Sequence, residues 1–507
     1  MEKHRSCRPG ADRAFENRSE PGSNRDLAPP PAELSGAFER YRQAVTPAQV
    51  AGLLAGQSAF SRHGVLSAWV VIWLIIFQRL HPKGTLASAV RELWTGPVRA
   101  SVRWKNPAQP GGLSANTSAY SQARSRLPEK VAEQVSDLIF ESLAEQPKTV
   151  PDLTIRLFLL DGSSLLLQHS PELVQSYPPA ENRYGTSHWP IMRVLVAHDV
   201  VTGLAVRPCS GPMYGPAAVS EQGLAKEMLA RLPAGSAVLG DRNFGIFSIA
   251  YHSQENHHPC LVRLTQVRAR KLNGGRVPHT GTDKSIGWEP SRWELKNNPE
   301  IPDDASVQGR LIAVRIAGGR KKDKLFFFTT LDLPSERILT LYGYRWNIET
   351  DLRSLKQEVR LYMLDAQSEA MVRKELVLGV SAYNLTRGAM NQAATALGME
   401  ARQLSFSLAQ DTLNAFLPAL ARATSDAERQ ALTQEMLWVF SYSKLTPRKR
   451  APFPREVWGR PGTFPKRKAS QKRSTGKNKA GKNGPLTSSR KGKAVEINKR
   501  GATKNKA

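Results

Sequence analysis

Apolar positions along the 507-residue chain change their period near residue 150. From about Thr46 to Glu145 they recur at helical spacing. This predicts successive helices at Pro47–Leu54, Ala68–Phe77, Thr85–Leu93 and Pro128–Leu143, parted by Pro82-Lys83-Gly84 and by the polar stretch 105–118. Ala68–Phe77 is an unbroken apolar run closed by Gln78 and Arg79. A membrane span needs about 20 such residues, so the run reads as a buried helix and no membrane partner is expected.

Beyond Pro151 the apolar residues gather into short continuous runs. Ile155–Leu160, Ile191–Ala197 and Leu204–Pro208 read as strands, the last two joined by a turn at Asp199–Gly203. A helix over Ser220–Leu232, a strand at Ala237–Gly240, a helix from about Phe247 and a strand at Cys260–Leu264 follow. This β-β-β-α-β-α-β order predicts an α/β fold, a mixed sheet covered by helices. An irregular stretch, 267–325, holds short β-like pieces such as Leu311–Ile316. After it come a strand at Phe326–Thr330, a helix over Leu341–Tyr362 and further helical pattern to about Ser441.

Charge sharpens the picture. The 72 Lys and Arg exceed the 44 Asp and Glu by 28, and residues 444–507, with 21 basic and 2 acidic side chains, hold +19 of that excess. The rest of the chain keeps +9 and is itself basic. A polyanionic partner is expected, nucleic acid ahead of an anionic membrane because the tail lacks an amphipathic apolar face. That tail and the Arg-, Glu-, Ser- and Pro-rich residues 1–35 are expected to be disordered. The three cysteines, Cys7, Cys209 and Cys260, make no Cys-x-x-Cys pattern, and Met1–Gly10 has no apolar signal core. A cytoplasmic protein with reduced thiols is the expectation.

The candidate chemistry lies in carboxylates. Asp161 follows the apolar Leu157–Leu160, and Asp241 follows Ala237–Gly240. An acid where a buried strand ends is rigidly held yet accessible, as a metal ligand must be. A turn at Asp161-Gly162 and a helix cap at Asp241 are the structural alternatives, and local sequence leaves them open. Tyr342, Arg345, Glu349 and Lys356 stand at offsets of 0, 3, 7 and 14, which puts them on one stripe of a helix. Ile348, Leu352, Leu355 and Val359 form a separate apolar stripe able to anchor that helix. Asp351 points away from Glu349, Asp199 belongs to the turn, and His188 and His198 have no metal-ligand spacing.

Together the two strand-end aspartates, the segment Asp241-Arg242-Asn243-Phe244-Gly245 and the Tyr-x2-Arg-x3-Glu-x6-Lys spacing resemble the signature of cut-and-paste DDE transposases of the bacterial insertion sequence family 4 type. The segment Ser114–Pro128 is similar to a recurrent one in their helical N-terminal part. The likeness covers about 50–440 and leaves out the arm 1–35 and the tail 444–507. It implies a ribonuclease H-like catalytic core over 151–265 and 326–365, with helices on both faces of the mixed sheet. A β-rich insertion, 266–325, would part Asp241 from Glu349, a helical N-terminal domain, 36–150, would bind DNA ends, and 366–443 would form a C-terminal helical region.

The resemblance further implies that Asp161, Asp241 and Glu349 hold two Mg²⁺ ions, with Mn²⁺ able to substitute, and that Tyr342, Arg345 and Lys356 grip DNA phosphates. Trp288 or Trp293 of the insertion would stack on a flipped base. A homodimer would pair two double-stranded transposon ends and join them to target DNA. Two other readings stay open, a nuclease on the same fold that does not join strands and a catalytically silent DNA-binding protein. For the tail, nonspecific DNA capture stands against a dispensable extension.

Overall fold

The computed structural model describes residues 35–55, 65–81, 83–102, 116–145, 149–151, 153–182, 185–315 and 324–445. The expected arm, nearly all of the basic tail and most of the polar stretch 105–118 lie outside these residues, as does Cys7. Six helices lead: α1 (Ala37–Ala44), α2 (Pro47–Leu53), α3 (Ala68–Leu80), α4 (Leu86–Thr95), α5 (Ser118–Arg126) and α6 (Glu129–Leu143). Thr46, Ser67 and Thr85 each accept a backbone N–H of the turn that follows them, which fixes where α2, α3 and α4 begin.

The α/β part runs through β1 (Leu157–Leu166), α7 (Pro171–Ser176), β2 (Pro179–Asn182), β3 (Gly185–Asp199), β4 (Cys209–Pro212), α8 (Glu221–Arg231), β5 (Ala237–Gly240), α9 (Phe247–Glu255) and β6 (Cys260–Leu264). It continues with α10 (Gln266–Leu272), β7 (Thr282–Trp288), α11 (Arg292–Asn297), β8 (Val307–Arg315), β9 (Lys324–Thr329), α12 (Ser335–Gly343) and α13 (Trp346–Arg353). Helices α14 (Glu369–Ala396), α15 (Phe406–Arg422) and α16 (Asp426–Tyr442) close it. No helix among the described residues is long and apolar enough to cross a membrane.

The strands form one mixed, mostly antiparallel sheet in the order β2-β3-β1-β5-β6-β9-β8-β7, with β4 also on β3. Only β1–β5 and β5–β6 are parallel among these pairs. Alternate residues divide the sheet into two faces. Phe158, Leu160, Val238 and Val262 pack with α8 and α9. Leu157, Leu159, Leu239 and Leu261 pack with α12 and α13. The sheet is therefore covered by helices on both sides. A third apolar cluster joins α1, α3, α4 and α6 to α14 and α15, so N-terminal and C-terminal helices share one core, with α3 buried along its whole length.

Four expectations change. The strand expected over Leu204–Pro208 is displaced to β4, because the Asn384 side chain on α14 takes both the N–H and the C=O of Ala205, each at 2.8 Å. The described part of the stretch 267–325 is not irregular: β7 and β8 extend the main sheet edge to edge from β9. Asp161 does not end its strand. β1 runs on to Leu166, paired with β3, and only its parallel partner stops, at the Leu160–Gly240 level. The single helix expected over Leu341–Tyr362 is α12 and α13, divided at Tyr344-Arg345, followed by a π turn at Ser354–Glu358 and by Arg360 at φ 58°.

Candidate metal and DNA site

Strand alternation decides which way the acids point. Asp161 shares the parity of Leu157 and Leu159, and Asp241 that of Leu239, so both carboxylates face the side covered by α12 and α13. The parallel register ends at Leu160–Gly240, so each aspartate directly follows a residue of the last paired level. Burial, with the charges of Asp241 and Glu221 adding, pushes the Asp161 carboxyl up to about 6, against opposing pulls from the Gly162 N–H and from Arg345. Asp161 Oδ1 accepts that N–H at 2.8 Å. Asp241 stands in a turn in which its Oδ1 accepts the Asn243 N–H at 2.7 Å and its carbonyl accepts that of Phe244 at 3.1 Å. The glycine closing that segment is enforced by space: a Cβ on Gly245 would lie 2.1 Å from the Arg263 carbonyl oxygen.

Helix α13 brings the third acid over the same face and packs against β1. Ile348, Leu355 and Val359 are buried beneath it, as the apolar stripe predicts. Asp351 is wholly buried on the opposite side from Glu349, with Arg387 Nη2 at 2.6 Å and Arg402 Nη2 at 3.0 Å. Burial alone would raise its pKa, but the two guanidiniums outweigh burial and hold it below the ordinary aspartate value. Glu349 is 44 % exposed and is held at 3.0 Å by Arg345 Nη2. No three Asp, Glu, His or Cys side chains among the described residues converge tightly enough to hold a metal ion.

The other expected residues divide. Lys356 Nζ donates to Ser163 Oγ at 3.2 Å, one strand step beyond Asp161 on the same face. Tyr342 departs from the exposed stripe: it is on α12, buried, with its ring 4.8 Å from that of Phe327. Burial pushes its phenol above the usual tyrosine range, opposed by Arg263 and Arg345. Trp288 does not offer a face to a base. It is core, edge-on to Phe328 at 4.8 Å and to Phe247 at 6.1 Å. Trp293 is 70 % exposed on α11, whose Glu294 caps its own helix through Ser291 and also accepts the Phe247 N–H at 2.9 Å, tying α11 to α9.

Asp199 is a buried partner of Arg156 at 2.9 Å and accepts the N–H groups of Val201 and Thr202. His198 is buried, which pushes its pKa down to about 4, and His188 stacks on His169. Cys209 and Cys260 are buried free thiols, each pushed up to about 12 by burial. Sequence reasoning missed Arg263 and Glu221. Arg263 interrupts the otherwise apolar Cys260–Leu264, a signal that could have marked it. Glu221 gave none, since an acid in a helix's first turn is ordinary.

With this geometry in view, two comparisons agree. Residues 152–385 match the family model described as a transposase DDE domain. The chain is also similar to the transposase InsG of insertion sequence element IS4 from Escherichia coli (strain K12), 24% identical over 325 residues that cover 61% of this chain and 69% of that protein. The matched span, 152–385, holds Asp161, Asp241 and Glu349, and over that span the chain is similar to DDE transposases of the insertion sequence family 4 type.

Proposed function

We propose that the chain cuts DNA at transposon ends and joins the freed 3′-hydroxyl ends to target DNA, with Asp161, Asp241 and Glu349 as ligands of two Mg²⁺ ions and Mn²⁺ able to substitute. One observation carries this reading: Asp161 on β1 and Asp241 just past β5 stand close enough to repel each other, and the helix that bears Glu349 packs on β1. The donor set fits. Hard carboxylate oxygens without His or Cys suit Mg²⁺, and a cation would relieve the repulsion that Asp161 meets from Asp241 and Glu221. When bound, paired divalent ions stabilise the entering and leaving oxygens of an in-line phosphodiester displacement.

Arg345 and Lys356 supply contacts to phosphates, which fix the position of the DNA rather than read its sequence. A phosphate at Arg345 competes for the guanidinium that clasps Glu349, so arrival of DNA frees the third carboxylate. Trp293 is the aromatic residue assigned to stack on a flipped base. We assign the ribonuclease H-like core to β4-β3-β1-β5-β6, with two chains pairing two ends.

A supercoiled plasmid bearing the element's own ends tests the reading. Asp161→Ala, Asp241→Ala and Glu349→Ala should each abolish cutting and leave end binding intact. Activity in any one of them removes that residue from the metal set. Product analysis in the same assay separates joining from hydrolysis alone: nicked donor without joined target would support a nuclease.

A further inference from the structure

Beyond the three acids, the geometry points to Glu221 as a positioning residue of the metal centre: it braces the Asp241 turn through Asn243. The inference rests on the metal reading above.

The brace answers a gap in the sheet. Parallel pairing of β1 with β5 ends at Leu160–Gly240, so no ladder hydrogen bond fixes Asp241 relative to Asp161. Glu221 spans that gap from the α8 face. Ser220 caps α8 by accepting the Gly223 N–H at 3.0 Å, which sets Glu221 in the first turn. Its side chain lies against Gly162, where an added Cβ would fall 2.3 Å from the Glu221 carboxyl carbon, so the residue after Asp161 can carry no side chain while Glu221 is in place. One carboxylate oxygen, Oε2, accepts the Asn243 side-chain N–H; Asn243 in turn donates its backbone N–H to Asp241 and accepts from Gln222 Nε2 at 2.7 Å. The other oxygen, Oε1, faces Arg193 Nη1 at 3.4 Å.

The two oxygens face different partners. Arg193 pairs with Ser164 across β1 and β3, and Ser164 shares the parity of Leu160 and Gly162, so the Glu221–Arg193 ion pair lies on the α8 face, behind the sheet from the two aspartates. Glu221 therefore reaches the metal centre through Asn243 and the Asp241 turn alone.

The test is Mn²⁺ binding by the full chain on uncut end DNA, read by electron paramagnetic resonance of free Mn²⁺, with thermal melting and end binding measured alongside. Glu221→Ala removes the acceptor for Asn243 and should weaken Mn²⁺ binding about 10-fold, the lower end of what supporting residues of metal sites contribute, without changing end binding. Glu221→Gln keeps an acceptor and should retain most of the wild-type affinity. Asn243→Ala, which cuts the brace from its other end, should weaken Mn²⁺ binding as much as Glu221→Ala does.

Wild-type affinity in Glu221→Ala or in Asn243→Ala, or equal loss in Glu221→Gln and Glu221→Ala, overturns the inference. Asp161→Asn is the control: if it too binds Mn²⁺ as wild type does, the metal reading itself fails and takes this inference with it. Loss in Asp161→Asn beside wild-type binding in Glu221→Ala sinks Glu221 alone.

Discussion

Asp161 concentrates the physics of the site in one carboxyl. Its folded pKa is raised to about 6, and the groups facing it are Asp241, Glu221 and Arg345. In the unfolded chain it would titrate near 4, so between about pH 4 and 6 the folded chain holds a proton that the unfolded chain has lost. Stability of the metal-free protein therefore falls as pH rises through that window and stays lower above it. In EDTA at pH 7, Asp161→Asn should stabilise the chain by about 1–3 kcal/mol, and urea titrations at pH 4 and 7 should show the gain only at the higher pH. An equal effect at both would remove the charge explanation.

Gly162→Ala makes a second expectation at this scale. Its Cβ meets the Glu221 side chain, so divalent-metal binding should weaken while melting shifts little, because that side chain can swing aside. Both aspartates were legible from short apolar runs that end in an acid. Glu221 was not, because its role comes from crossing the sheet end, which no local pattern encodes.

Among elements, α13 matters most. The offsets of Tyr342, Arg345, Glu349 and Lys356 suggested one continuous stripe, yet the chain breaks at Tyr344-Arg345 and changes to a π turn at Ser354. The apolar stripe was read correctly because burial of Ile348, Leu355 and Val359 needs only local helix. The break was missed because it serves packing from outside: Tyr342 is drawn into the sheet face against Phe327, and Asp351 is clamped by α14 and Arg402.

That clamp sets the position of Glu349. Asp351→Ala would leave Arg387 and Arg402 without their shared partner in a buried place, at a cost of about 3–5 kcal/mol. Denaturant unfolding measures it, and a change below about 1 kcal/mol would show that the clamp does not hold α13. Trp288 shows the same limit from the other side. A tryptophan at the end of a strand looks identical in sequence whether it faces solvent or, as here, Phe247 and Phe328.

At the scale of the whole molecule, the β-β-β-α-β-α-β order carried enough information to predict a mixed sheet with helical cover. Its extension by β7 and β8 was less visible, since β7 is exposed along most of its length and β8 buries only Val307, Leu311, Ile312 and Ala313. The shared core of N-terminal and C-terminal helices was equally hidden, because helical periodicity reports an apolar face and not its partner. Charge makes a prediction here that geometry does not. If residues 446–507 capture DNA by counterion release, a chain ending at Leu445 should show a shallower fall of nonspecific affinity with salt, by about 0.9 logarithmic units for each phosphate the tail would otherwise neutralise. Cutting at specific ends should persist. An unchanged salt slope would mark the tail as dispensable for binding.

The central claim is that Asp161, Asp241 and Glu349 close around divalent ions once DNA occupies Arg345. Anomalous scattering from crystals of the chain grown with end DNA and Mn²⁺ tests it directly. Peaks should appear within coordination distance, about 2 Å, of oxygens from all three carboxylates, with Arg345 turned from Glu349 to a phosphate. Manganese bound elsewhere, or Glu349 still clasped by Arg345 in the DNA complex, would contradict it.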